Sequence, residues 1–332
     1  MQTILAFGYH DQHSPRHWSV CEAFRKEGAE IIECHTDATG LFGKYRDLAR
    51  KYRLTIATTE PVLSHSEGVS SLLVTFPGHF LMPLAWWLTR RPRKRLIFDA
   101  FISLYDTEVS DRRRFSRWNP WAWILWLTDW LSMHLADEVL IDTETHRRFL
   151  IERFGLRPER VRVIYLEARS DLFHPISNKP INQLTPQPFT IFFYGTAIPL
   201  QGIPVILDAA KILEEQNAPV HFMMLGTKHL KNMIDERSLH SMEFKPFVNL
   251  EELPAFIHGA DLCLGIFGTS GKAQRVIPHK VIDAVACGVP VLTADTHAMR
   301  ERFANHPLVH RVQAGNPQAL AEKILQLGKN LR

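Results

Sequence analysis

Short apolar runs alternate with helix-length segments along almost the whole chain. Thr3–Phe7 ends in Gly8-Tyr9, a helix follows at His17–Lys26, Gly28 closes it, and Glu30–Cys34 is the next run. The rhythm continues with a helix at 39–53, strands at Ser71–Thr75 and Arg95–Phe98 around a helix near 79–90, a helix at 120–135 and a strand at Glu138–Ile141. The helix Thr143–Phe154 then leads to the strand Val161–Tyr165. Strands separated by helices of this length predict a parallel sheet with crossover helices. Pro175–Pro188 interrupts the pattern with four prolines and few apolar residues, the composition of a linker. After it the alternation restarts: strand Phe189–Tyr194, Gly195, helix Pro204–Glu215, strand Val220–Leu225, Gly226, helix Leu250–His258 and strand Asp261–Phe267. The 332 residues therefore read as two doubly wound α/β domains, 1–174 and 189–332, joined by 175–188. Such domains place ligands outside the C-terminal ends of their strands.

Apolar content of 45% and charged content of 22% are those of a globular enzyme. The four cysteines, Cys21, Cys34, Cys263 and Cys287, show no metal-type spacing, so buried thiols in a reducing compartment are expected and zinc is not. The start, MQTILAFGYH, has no basic leader, which predicts a cytoplasmic protein. The net charge of +4 is mild, but the cations cluster. Arg90-Arg91-Pro92-Arg93-Lys94-Arg95 follows an apolar stretch at 80–88, and Arg112-Arg113-Arg114 with Arg117 precedes Trp118, Trp121, Trp123 and Trp126. Cations beside Trp suit an anionic membrane surface. No nucleic-acid motif accompanies them, and neither apolar run spans a bilayer. The 80–95 stretch is read as the membrane contact; Trp123–Leu135 is read as a core helix.

Phe267–Asp295 carries the most functional information: a strand end, a basic loop, a helix, a Gly stop at Gly288 and a strand at Val289–Leu292. Lys272, Arg275 and Lys280 crowd the N-terminal end of the helix that Pro278 opens, where free N–H groups and the helix dipole favour an anion. A solvated basic loop is the alternative.

The pattern P-x-K-x-x-D-A-x-A-C-G-x-P-V over Pro278–Val291 resembles the donor-site signature of retaining glycosyltransferases of family 4 (glycosyl transferases group 1). That resemblance implies the GT-B fold, two Rossmann-like α/β domains facing each other across a cleft. It further implies transfer of a sugar, with retention, from a nucleotide-diphosphate sugar to a glycan or lipid-linked acceptor in envelope or polysaccharide biosynthesis. No metal or other cofactor is expected, and localisation is cytoplasmic, peripheral on the membrane's inner face. Asp283 stands at the family's second acidic position and Arg275 where the first Glu is usual. Phe189–Gly202 is similar to the family's phosphate loop, with Gly195-Thr196 and Gln201-Gly202 in place of its Arg and Lys. Lys272 and Arg275 are expected to supply the missing charge. Gly226 and Phe247 fall in the nucleotide and base stretches, and Asp283 is expected to meet ribose hydroxyls. In the first half Gly8, Tyr9 and Arg16 resemble the acceptor side. Asp106, His79 and Asp99 are the catalytic candidates, with Phe101 where a His is usual. Two other classes remain open on these residues: a non-catalytic GT-B relative acting as partner subunit or sugar-nucleotide sensor, and a sugar-nucleotide epimerase.

Overall fold

In the computed structural model, which describes residues 2–59, 68–176 and 188–330, the chain divides into two units, Met1–Leu166 and Glu167–Arg332. The first contains β1 (Gln2–Gly8), α1 (Pro15–Lys26), β2 (Ala29–His35), α2 (Leu41–Thr59), β3 (Val69–Val74), α3 (Met82–Leu88) and β4 (Arg95–Asp99). It ends with α4 (Pro120–Leu135), β5 (Glu138–Ile141), α5 (Glu144–Phe154) and β6 (Val161–Val163). The six strands are parallel, in the order β2-β1-β3-β4-β5-β6. Their alternation sorts the core onto two faces. Leu5 and Phe7 pack with Leu48, Met82, Met133 and Leu150 from α2 to α5, and Ile4 packs with Val20 and Phe24 of α1. With both faces covered, Ile4–Phe7 are wholly buried, each large side chain contributing about 1.5–3 kcal/mol. Local sequence fixes the helix ends. Ser14, Asn119 and Thr143 each accept a hydrogen bond from a first-turn N–H, prolines 15 and 120 open α1 and α4, and Gly155 closes α5 at φ +68.

The second unit contains β7 (Phe189–Gly195), α6 (Ile203–Glu215), β8 (Val220–Gly226), α7 (Lys228–Asp235), β9 (Met242–Pro246), α8 (Leu253–His258) and β10 (Leu262–Leu264). It continues with α9 (Gly271–Arg275), α10 (His279–Ala286), β11 (Val291–Ala294), α11 (His297–Phe303), β12 (Val309–Val312) and α12 (Pro317–Asn330). This sheet is also parallel and six-stranded, in the order β12-β11-β10-β7-β8-β9. The doubly wound class expected from the alternation is therefore present twice.

Two expectations shift. Residues 167–174, assigned to the first domain by sequence, belong to the second unit, as does Pro175 of the expected linker: Arg302 pairs with Glu167 at 2.7 Å, and Pro175 lies against Gly288. Most of the 175–188 linker lies outside the described residues. Helix α4 meets the core through Met133, Trp126 and Trp130, but Trp123, Leu127 and Leu131 of its expected core face are exposed, as are Trp121 and Ile124. Among the described residues, no helix is long and apolar enough to cross a membrane.

Candidate functional site

In each sheet the chain winds outward from one strand, then returns to that strand's other side. Those reversals fall between β7 and β10 in the second unit and between β1 and β3 in the first. At such points the loops part and leave a crevice at the strand C-termini.

At the β7/β10 reversal backbone replaces side chain. A Cβ on Gly195 would stand 2.9 Å from Lys280 Nζ and 3.3 Å from Gln201 Oε1. The turn Pro199–Gln201 runs into Gly202 at φ +67, and a Cβ there would lie 2.5 Å from both Gly268 N and the Phe267 carbonyl carbon. Phe267 N–H donates to Gln201 O at 3.0 Å and Gly268 N–H to Leu200 O at 3.2 Å, tying the turn to the loop after β10. Gly226 closes β8 directly beside Gly195, where a Cβ would meet Gly195 O at 2.7 Å.

Lys280, in the first turn of α10, reaches back into this pocket. It is 5% exposed, donates to Gln201 Oε1 at 2.5 Å and lies 3.8 Å from the centre of the Phe193 ring. No carboxylate among the described residues forms an ion pair with it. Burial therefore drives its pKa well below the ordinary lysine value. One turn on, Asp283 is 1% exposed; its Oδ2 accepts from Tyr194 OH at 2.6 Å and lies 2.9 Å from His279 Nδ1. Asp283 Oδ1 and His279 Nε2 are both buried with no hydrogen-bond partner. Burial, then the neighbouring carboxylate, raises the Tyr194 pKa well above its ordinary value, so the phenol keeps its proton and donates it. The structure thus joins Gly195, Gln201, Gly202, Gly226, Lys280 and Asp283 around one strand end. Asp283 serves Tyr194 and His279 rather than standing open to solvent.

The remaining second-unit candidates lie around this centre. Thr196 is half-buried just beyond Gly195, and Phe247 follows β9 at the same edge, 50% exposed. Lys272 and Arg275 lie on α9, which Ser270 caps by accepting from Ala273 N–H. Lys272 is 7% exposed and Arg275 half-buried. Asp261, just before β10, accepts from Thr190 N–H at 2.9 Å and pins the opposite end of β7.

At the β1/β3 reversal the structure shows a cluster that the sequence reading missed. His10 Nε2 lies 3.2 Å from Glu33 Oε2 and His17 Nε2 lies 2.9 Å from Glu33 Oε1, while Thr75 Oγ1 meets His10 Nδ1 at 2.6 Å. A Cβ on Gly8 would collide with that Thr75 oxygen at 2.4 Å. Burial would raise the Glu33 pKa, but hydrogen bonds from both imidazoles outweigh it and hold the carboxyl at about 2. Desolvation lowers the His10 pKa. The three ligating groups lie within 4.8 Å of one another, close enough to share a metal ion. The imidazoles, however, stack at 4.0 Å with planes 25° apart, so their lone pairs run side by side instead of converging. Spacing hid this contact: the parallel register sets Glu33 opposite Ala6, and His10, beyond the end of β1, reaches back to it. Of the predicted acceptor-side residues, Tyr9 is half-buried under Lys44, whose Nζ lies 3.4 Å from its ring centre.

Arg16 and the three catalytic candidates are buried and held by internal partners. Arg16, 4% exposed, forms a bidentate pair with Asp99, 2% exposed, and donates to Ile164 O at 2.6 Å. Asp106 is 3% exposed in a π-helical turn over Asp106–Asp111, its N–H on Ser103 Oγ. His79, 2% exposed, directs Nε2 to Ile102 O at 3.1 Å. Asp129 is 3.4 Å away but accepts from Ser103 Oγ and from Leu104 and Tyr105 N–H. These contacts fix Arg16, Asp99 and His79 against partners inside the first unit.

Burial pushes His79 down to about 4 and Asp129 up to about 6, so the histidine is neutral near pH 7 and no ion pair forms. For His79 the folded pKa lies below its ordinary 6.5, so acid protonates the unfolded chain first. Its stabilisation is complete above 6.5 and is lost as pH falls toward 4. The stability advantage of wild type over His79→Gln is expected to shrink by about 2–3 kcal/mol between pH 7 and 4.5 in urea titrations. An advantage independent of pH would contradict a neutral His79.

Comparison with known proteins agrees with this architecture. Residues 176–331 match the family model of glycosyl transferases group 1, so the second unit carries a domain of that family. Chitobiosyldiphosphodolichol beta-mannosyltransferase of Candida albicans is 22% identical over 205 residues, covering 56% of this chain and 44% of the relative. The chain thus spans less than half the length of that curated relative. Among solved structures, sucrose-phosphate synthase of Thermosynechococcus elongatus superposes with a TM-score of 0.72 at 14% identity, covering 100% of this chain and 90% of the other. The Anabaena protein HepE, solved in complex with UDP and glucose, superposes with a TM-score of 0.66 at 15% identity, covering 99% and 90%. The two parallel six-stranded sheets are those of the GT-B class.

Proposed function

We propose that the protein transfers a hexosyl unit from a nucleotide-diphosphate sugar to a glycan or lipid-linked acceptor in polysaccharide or envelope biosynthesis. The observation that carries this reading is Lys280: a buried cation without a carboxylate, set against Gly195, Gln201 and Gly202 at the β7/β10 reversal. A departing diphosphate supplies the negative charge this amine lacks, and glycine backbone lets phosphate oxygens approach closely. The orphaned Asp283 Oδ1 and His279 Nε2 provide two acceptors for hydroxyl groups such as those of a ribose, reached by a small shift of the half-buried His279.

The chemistry needs no protein nucleophile. Stabilising the leaving diphosphate is the main catalytic demand, and Lys280 meets it without a metal. Retention, by front-face displacement, belongs to this reading and rests on the family resemblance. The HepE complex with UDP and glucose supports the donor class, and the Candida mannosyltransferase supports a lipid-linked acceptor. The cationic Trp-rich surface of the first unit supports a peripheral place on an anionic membrane.

Incubation with nucleotide sugars and a lipid-linked glycan acceptor is expected to release nucleoside diphosphate, with the anomeric proton of the product reporting retention by NMR. Nucleotide binding without release would instead favour the sensor reading, and a new sugar nucleotide formed without acceptor would favour the epimerase. Lys272→Ala with Arg275→Ala is expected to weaken donor affinity about tenfold, as for loss of one or two partly screened cations. Unchanged affinity and turnover would remove α9 from the donor site.

A further inference from the structure

Helix α4 carries its polarity inside out. Asp129 and Ser132 are 0% and 2% exposed; Asp129 holds the 103–105 loop and Ser132 Oγ donates to His79 O at 2.9 Å. On the opposite side Trp121, Trp123, Ile124, Leu127 and Leu131 stand 39–61% exposed. At helical spacing they share an arc of roughly 160° on a rod about 24 Å long, and that arc contains no charged side chain. An apolar face of this extent marks an interaction surface.

The two ends of the face identify its partner. One turn beyond Leu131, the arc reaches His134 and Leu135, which line a cavity of about 170 Å³. Arg90, Arg93, Lys94 and Arg160 also line it, against a single carboxylate, Asp137. Backbone carbonyls hold the inner cations: Lys94 Nζ donates to Val69 O at 2.7 Å and Arg160 donates to Ala136 O. Arg90, stacked 4.1 Å over Trp86, and Arg93 are exposed at the mouth. Near the helix's other end Arg117 lies 5.1 Å over the Trp118 ring, which is 74% exposed, and Arg113 is exposed nearby. An uncharged aromatic face with cations at both ends complements the headgroup layer of an anionic bilayer.

We propose that α4 lies in the plane of an anionic membrane, its exposed face in the headgroup–acyl boundary, and that the cavity at its C-terminal end receives a lipid phosphate. This identifies the surface behind the membrane-proximal acceptor in the proposed function and rests on that part of it. Donor binding by the second unit is independent of it.

Vesicle flotation at low salt tests the inference, using phosphatidylcholine with or without phosphatidylglycerol and the full chain. Wild type is expected to bind the anionic vesicles. Trp123→Ser with Leu127→Ser, both at exposed positions, should lose binding while retaining its circular dichroism and its thermal shift with nucleotide sugar. Arg90→Ser with Arg93→Ser should bind roughly 30-fold more weakly, about fivefold per basic residue, and lose the preference for phosphatidylglycerol. Wild type that ignores anionic vesicles, or a Trp/Leu variant that binds like wild type, would overturn the inference. So would a wild-type dimer that this variant converts to monomer, which would make a second copy the occupant. An arginine variant that keeps its lipid preference would overturn the phosphate cavity.

Discussion

Lys280→Met is expected to lower nucleotide-sugar turnover by about 10²–10³-fold, the usual cost of removing a group aimed at developing charge, while leaving the fold intact. The two expectations share one cause. Lys280 is 5% exposed and, among the described residues, has only Gln201 Oε1 as a side-chain hydrogen-bond acceptor, beside the Phe193 ring. Burying an uncompensated cation is unfavourable, and methionine fills the same volume without that penalty. Thermal stability of the variant should therefore equal or exceed that of wild type, although activity collapses. Lys280→Arg is not expected to rescue activity, because a longer, planar guanidinium does not reproduce the compact point charge of an ammonium. Nucleoside diphosphate release measured beside thermal unfolding checks both halves. Turnover within tenfold of wild type would show that the lysine is structural.

The second large effect is on stability. Gly202→Ala is expected to cost about 2–4 kcal/mol in urea unfolding. Two independent features add there: a left-handed φ of +67 and a Cβ position 2.5 Å from backbone atoms of residues 267 and 268. Backbone cannot swing aside as a side chain can, so the turn at 199–201 must separate from the loop after β10. Gly28→Ala is the control. Its φ is +84, but nothing lies within 4 Å of the added carbon, so only the conformational cost of roughly 1–2 kcal/mol applies. Equal losses at the two positions would show that the approach at Gly202 is softer than described.

The parts of the molecule visible in the sequence were those set by local chemistry. Gly288 adopts φ +74 just past α10, Thr296 caps α11 and Asn316 caps α12, as their residue types require. Strand alternation exposed both sheets because parallel strands need long crossovers. Lys280 was legible through its place after Pro278, before the helix interior. Contacts between distant segments were not: His10 and Glu33 are 23 residues apart, and they meet because β2 sets Glu33 opposite Ala6 and His10, beyond the end of β1, reaches back to it. The direction of α4 was hidden for a different reason. A nearly all-apolar helix has a weak amphipathic signal, and its polar Asp129 and Ser132 bond inward to residues 103–105 and His79. The strand β9, Met242–Pro246, was missed because its alternation of apolar and charged residues is that of a half-exposed edge strand.

Isothermal titration of the full chain, wild type and Lys280→Met, with a panel of nucleoside diphosphates tests the central claim most directly. A diphosphate closing on Lys280 supplies the opposite charge that its buried site lacks and so favours the cationic form against burial, which lowers its pKa. The account predicts tight binding of at least one nucleoside diphosphate by wild type, weakened at least tenfold in Lys280→Met. Binding of equal affinity in wild type and variant, or no binding by wild type, would contradict it.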